Sequence, residues 1–305
     1  ENITAHFTHI YYPVEKRIVM VGKATSLGPV TYNWTLGDGN YRADATIVNY
    51  TYTTNGTYYP TFVATSTANP SCFANHSVEI VVEDVTGGDN CENNSITGVL
   101  ETGIAAVNLS DFRIELLKLQ QTGTASQQAT SEINAQTGEF TFTNLPNGEY
   151  ILRATIANPE NYPQILVSYF NQIMDRVVLW QEASPITLTC NTAANLNLTL
   201  ASIAEMLSGN GTISGLVTYA TTGSKENSVS ATQYGGEKSY SGALLYLVNK
   251  ANNSVVAKTT SGSNGSYSFS NVAEGNYEVL VEIPGLAMSS THTVEISAAS
   301  QTVVN

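Results

Sequence analysis

The block GEFTFTNLPNGEY at 138–150 recurs as GSYSFSNVAEGNY at 265–277, a constant offset of 127. Gly138, Phe140, Phe142, Asn144, Gly148 and Tyr150 meet Gly265, Tyr267, Phe269, Asn271, Gly275 and Tyr277. Alternating aromatics, a turn and a Gly-x-Tyr restart spell strand–turn–strand. A supersecondary unit present twice implies two cores, so the chain reads as a string of similar β domains rather than one large enzyme. The opening strands repeat too: Ile96 and Gly98 match Ile213 and Gly215 at an offset of 117. The later copy therefore carries about ten more residues before its turn, and the polar stretch 221–239 is expected to be that long loop.

The remaining sequence alternates in the same way. RIVMVGKA, VTYNWTL, TIVNYTYTT, YYPTFVATS and HSVEIVVED supply strand-length runs before residue 86, and Gly87–Gly88 and the SGNG at 208–211 read as linkers. The expected fold class is all-β, three tandem immunoglobulin-like β-sandwich domains at 1–86, 91–202 and 212–305. Between 161 and 188 the pattern is less regular. QIMDRVVLWQEA there places Ile173, Val177 and Trp180 at helical spacings, which predicts a loop or short helix over the sandwich edge.

Charge narrows the partners. Twelve Lys or Arg stand against 25 Asp or Glu, a formal charge of −13, so phosphate backbones and anionic membrane surfaces are repelled. No apolar run approaches the ~20 residues of a membrane-spanning helix. Both ends look cut, as expected for a mature or excised piece of a longer chain.

YNWTLGDG at 32–39, followed by NYTYTTNGTYYPTFVAT at 49–65, resembles the PKD domain, whose pattern is W-x-F-G-D-G and then H-x-Y-x-x-x-G-x-Y. Trp34, Gly37, Asp38, Gly39, Tyr52, Gly56 and Tyr58 match it, while Leu36 replaces the Phe and Tyr50 the His. Trp34 supplies buried area, and Asp38 in its Gly-Asp-Gly turn is expected to accept backbone hydrogen bonds. The two later units, with I-x-G-x-V and then G-x-F-x-F-x-x-L-x-x-G-x-Y, are similar to carboxypeptidase-regulatory-like and Cna-B/SdrD-B domains. Together with the W-x-x-A-x-x-I-x-L run at Trp180, Ala183, Ile186 and Leu188, the order resembles bacterial cell-surface proteins exported by type IX secretion. These resemblances imply a secreted, non-catalytic spacer. Ala135 and Gly262 stand where relatives carry an Asp able to support calcium, and neither later opening strand has the Lys of isopeptide-forming relatives, so neither feature is expected.

Few residues look like chemistry. His6, His9, His76 and His292 are the only histidines, and the odd spacing of His6 and His9 puts them on opposite faces of a strand. There is no G-x-S-x-G elbow and no phosphate loop, so no catalytic residue, cofactor or metal is expected. Cys91 and Cys190 bracket the second domain, either as a disulfide clamping first strand to last or as two unpaired core residues. Cys72 is then the odd one, with a partner expected upstream of Glu1. In the pairs Tyr11–Tyr12 and Tyr58–Tyr59, alternation turns one ring outward, a possible glycan contact or simply a half-wet strand tyrosine. Eleven N-x-S/T sequons, among them Asn33, Asn49, Asn55, Asn75 and Asn264, are glycan acceptors only in a host that modifies them.

The expected function is a structural segment of an extracellular or cell-surface protein: stalk, adhesin or fibre subunit. Its expected partners are neighbouring domains of the same or identical chains, joined in one variant by β-strand addition. The alternative is a glycan-binding accessory module of a secreted polysaccharide-degrading enzyme.

Overall fold

The computed structural model describes residues 3–84, 93–103, 107–119, 125–220, 237–286, 292–297 and 302–304. Its regular structure is strand, with four one-turn 3₁₀ helices, at Pro13–Glu15, Leu109–Asp111, Pro159–Asn161 and Trp180–Glu182. The first set of strands is β1 (Thr4–Tyr12), β2 (Arg17–Thr25), β3 (Val30–Thr35), β4 (Tyr41–Ala43) and β5 (Ile47–Thr51). It continues with β6 (Gly56–Tyr58), β7 (Thr61–Ser66), β8 (Phe73–Ser77) and β9 (Ile80–Val82). Next come β10 (Asn94–Glu101), β11 (Phe112–Leu119), β12 (Ala125–Ser131), β13 (Glu139–Leu145) and β14 (Gly148–Ile156). Four short strands complete that set: β15 (Ser168–Tyr169), β16 (Ile186–Leu188), β17 (Ala193–Asn195) and β18 (Leu198–Thr199). The last set is β19 (Gly211–Leu216), β20 (Thr218–Ala220), β21 (Glu237–Ser239), β22 (Leu244–Asn249) and β23 (Ser254–Thr260). It closes with β24 (Ser266–Val272), β25 (Gly275–Glu282), β26 (His292–Ile296) and β27 (Thr302–Val304).

Each set encloses an apolar core between facing sheets. Phe7, Ile18 and Met20 pack against Trp34 and Phe62 in the first. In the second, Ile96, Phe140 and Phe142 face Ile114, Leu116 and Leu152. Ile213 and Phe269 face Leu245, Leu247 and Val279 in the third. These are immunoglobulin-like β-sandwiches, built by the period-two alternation that sends every second residue inward.

The sequence repeat is a repeat of topology. The order β13-β10-β17 reappears as β24-β19-β27, with the last pair parallel in both. The facing order β12-β11-β14 with β16 on β14 reappears as β23-β22-β25-β26. Even the bulges recur, at Asn94/Ile96 and Gly211/Ile213 and again at Leu116/Leu117 and Leu247/Val248. Across the first ladder Gly98 sits opposite Phe140 and Gly215 opposite Tyr267. A Cβ on Gly98 would come within 1.9 Å of the Leu196 carbonyl and 2.6 Å of the Phe140 ring, so the close approach demands glycine.

All three sandwiches share one corner. The Tyr58 hydroxyl donates to the Thr54 carbonyl at 2.9 Å, Tyr150 to Pro146 at 2.8 Å and Tyr277 to Ala273 at 3.1 Å. This is the tyrosine corner of immunoglobulin-like folds, where a strand re-enters the sandwich.

The segment 173–183 is the expected loop with a short helical turn: Val177 is buried and Trp180 half-buried over the outer face of the β11-β14-β15 sheet, and the turn at Trp180–Glu182 is the helical part. The long loop expected at 221–239 lies, but for β21, outside the described residues.

Candidate functional site

In the first sandwich, the Trp34 side chain is fully buried. Its indole N–H donates to Ala45 O at 2.8 Å, and its ring packs edge-on to Phe7 at 5.0 Å. The strand it anchors ends in the Gly37–Asp38–Gly39 turn, whose glycines have φ of 84° and 91°. The exposed Asp38 carboxylate accepts from the Asn40 backbone and side chain at 3.0 Å and from the Tyr50 hydroxyl. Slight desolvation works to raise its pKa, but the Tyr50 and Asn40 hydrogen bonds outweigh it and hold the carboxyl below the usual range. Asp38 is thus an ionised turn acceptor, and Tyr50 occupies the place of the expected His with a bond of its own.

The tyrosine pairs separate as alternation requires. Tyr11 and Tyr58 point into the core, at 7% and 9% exposure, so they cannot stack beneath a sugar. Tyr12 is half-buried with the Arg17 guanidinium 4.1 Å above its ring. Tyr59 is exposed, its hydroxyl bonded to Glu79 at 2.7 Å. The four rings therefore form no common platform.

Cys190 is disulfide-bonded, while Cys91, its expected partner, lies outside the described residues. Buried Asn94 ties the same end of the sandwich, donating to Leu145 O at 2.8 Å and accepting the Thr192 N–H at 2.8 Å. His6 and His9 share β1, and no group of three or more His, Cys, Asp or Glu among the described residues is placed to hold a metal.

The most constructed sites are the joints. At the first, β1 pairs antiparallel with β17 (His9 with Asn195, Ile10 with Ala194, Tyr11 with Ala193) while its other edge pairs with β2. One sheet consequently runs β13-β10-β17-β1-β2-β5 through both sandwiches. Phe7 and Tyr11 of β1 enter the first core, whereas Ile10 enters the second. Lys23 adds an ion pair to Asp175 across the joint.

At the second joint, Leu166, Ala201 and Ile203 pack on Tyr246, forming an apolar cluster common to the second and third sandwiches. The Trp180 indole donates to Leu286 O at 3.0 Å and its backbone N–H to Glu282 Oε1 at 3.1 Å. Lys258 Nζ donates to the carbonyls of Tyr162 and Ile165; burial pulls its pKa down to about 8. A groove of about 620 Å³ opens beside it, lined by Ile156, Val167, Ile203, Leu244, Val256 and Phe269 among others. Trp180 packs on Leu117, Ile151, Tyr169 and Val177 at the outer face of the second sandwich rather than over its core, and it also reaches the third sandwich. Sequence reasoning missed Glu282, Tyr246 and Lys258, which stand in ordinary strand positions with no local mark of a joint.

Residues 212–305 match the carboxypeptidase regulatory-like domain family. No curated protein matches the chain. Among solved structures, the PKD1 domain of the Vibrio cholerae metalloprotease PrtV is similar over 27% of this chain and 99% of its own, at 20% identity and a TM-score of 0.24. The streptococcal ancillary pilin is similar over 91% of each chain, at 12% identity and a TM-score of 0.24. BcpA, the major pilin subunit of Bacillus cereus, is similar over 90% of this chain and 93% of its own, at 11% identity and a TM-score of 0.21.

Proposed function

We propose that this chain is a non-catalytic structural segment of a bacterial cell-surface or secreted protein, a stalk, adhesin or fibre piece divided at 1–86, 91–202 and 212–305. The observation that carries the reading is the joint at β1: a backbone ladder and a shared core residue couple neighbouring sandwiches, as suits a part that transmits force. The side chains at the joints are engaged in holding strands, carbonyls and rings together. The Cys91–Cys190 bridge belongs to the same proposal, because it would clamp the second sandwich where strands enter and leave.

Force spectroscopy on the intact chain tests this. The expected record is a first event releasing the length of the coupled pair, rather than two independent sandwich-sized steps. Separate steps at low force would overturn the reading. Glycan-array binding abolished by Tyr59→Ala would instead favour the accessory-module alternative.

A further inference from the structure

Glu282 is an unusual residue for a seam. It ends β25 with only 3% of its surface exposed. Oε1 accepts the Trp180 N–H, and Oε2 has no partner at hydrogen-bond distance among the described residues. The surrounding groups come from several elements. Tyr169 on β15 and Tyr246 on β22 bring hydroxyls, and Glu182 brings a second negative charge from the 3₁₀ turn. Among the described residues the cation facing it, Arg153 on β14, is already bound to Glu115 on β11 at 2.8 Å and to the Tyr169 hydroxyl at 3.4 Å. A buried carboxylate whose Oε2 lacks a hydrogen-bond partner and whose nearby cation is committed elsewhere is poorly compensated. A neutral carboxyl fits the same place, and its proton would give Oε2 a bond to offer.

We propose that the joint between the second and third sandwiches is acid-tightened: it closes on protonated Glu282 and loosens when Glu282 ionises. This goes beyond the structural role above and does not depend on it, since any tandem chain with this seam would behave alike. Burial raises the Glu282 pKa from 4.5 to about 7, and the opposing pull of Tyr169, the Trp180 N–H and Arg153 does not offset it. The closed joint therefore binds the proton more tightly than the open one. Closure is fully favoured below the open-state value and weakens as pH rises through about 7. A separation of that size corresponds to a fall of about 300-fold in the closing equilibrium, at tenfold per pH unit.

The two tryptophans supply the test. In a ¹⁵N-labelled intact chain, the chemical shift of the Trp180 indole N–H, bonded across the joint to Leu286, is expected to move between pH 5 and 8. The Trp34 indole, bonded within the first sandwich, should remain still. Glu282→Gln, neutral at every pH, should abolish the Trp180 titration and keep the joint closed. Small-angle scattering of the unaltered chain should show a larger radius of gyration at pH 8 than at pH 5. A Trp180 signal and a radius both flat across this range would overturn the proposal. So would a Glu282→Gln chain that titrates with the original midpoint.

Discussion

Ile10→Ala is the sharpest probe of the β1 joint. Ile10 belongs by sequence to the first sandwich, yet it lies in the second core at 7% exposure. Truncation of a buried Ile leaves a cavity and costs about 3 kcal/mol. If the shared sheet makes both sandwiches one cooperative body of nearly 200 residues, the melting temperature falls by about 6–12 °C for the pair together. If they melt separately, the same loss falls on a unit half that size and lowers the second sandwich alone by about 12–24 °C. Calorimetry combined with Trp34 indole NMR, which reports the first sandwich, distinguishes the cases. Phe7→Ala is the companion variant, because Phe7 leaves the same strand toward the first core. Both variants are expected to shift one common transition. A Trp34 signal melting at its original temperature in Ile10→Ala would refute the coupling.

Removing the corner hydroxyl by Tyr58→Phe, Tyr150→Phe or Tyr277→Phe should cost about 1–2 kcal/mol each, read as a lower urea midpoint at unchanged slope; no change in any of them would show that the bond is ornamental. His9, whose Nδ1 is enclosed without a hydrogen-bond partner, has its pKa pulled down to about 4 by burial and then by His76. Its folded state resists protonation, so stability is fully present above pH 6.5 and falls by about 3 kcal/mol as pH drops to 4; His9→Gln should flatten that slope in denaturation measured across pH, and an unchanged slope would exclude His9 as its source. Non-reducing peptide mapping is expected to recover Cys91 linked to Cys190, and a Cys72–Cys190 peptide would refute the proposed clamp.

The repeat was legible because alternation survives in sequence: Phe140 and Phe142, like Tyr267 and Phe269, must face inward whatever surrounds them. The Trp34 and Gly-Asp-Gly turn was legible for a related reason, since a tight turn restricts residue type locally. The third tyrosine corner could have been found. NGTY at 55–58 carries the same Gly-x-Tyr as NGEY and EGNY, and its Gly56 and Tyr58 fall in the PKD pattern as well. The joints were not legible. In β1 a strand buried on both faces loses the polar alternation that marks an outside, so Ile10 looks like any core residue. Glu282 follows an ordinary strand and resembles a solvent-facing terminus, because its burial is imposed by Trp180, a hundred residues away in sequence. At 173–180 the spacing left loop and short helix both open, and tertiary packing keeps only the turn at Trp180–Glu182 helical.

The ladder between β1 and β17 also bears on how the protein can be dissected. A fragment starting near residue 91 would strip β17 of its outer neighbour and bare a row of backbone donors and acceptors, together with the hole left by Ile10. Such a raw margin recruits any extended strand it meets, including another copy of itself. Clumping of the excised middle piece would then be an artefact of where the cut was made, whereas a piece retaining residues 3–203 keeps that margin covered.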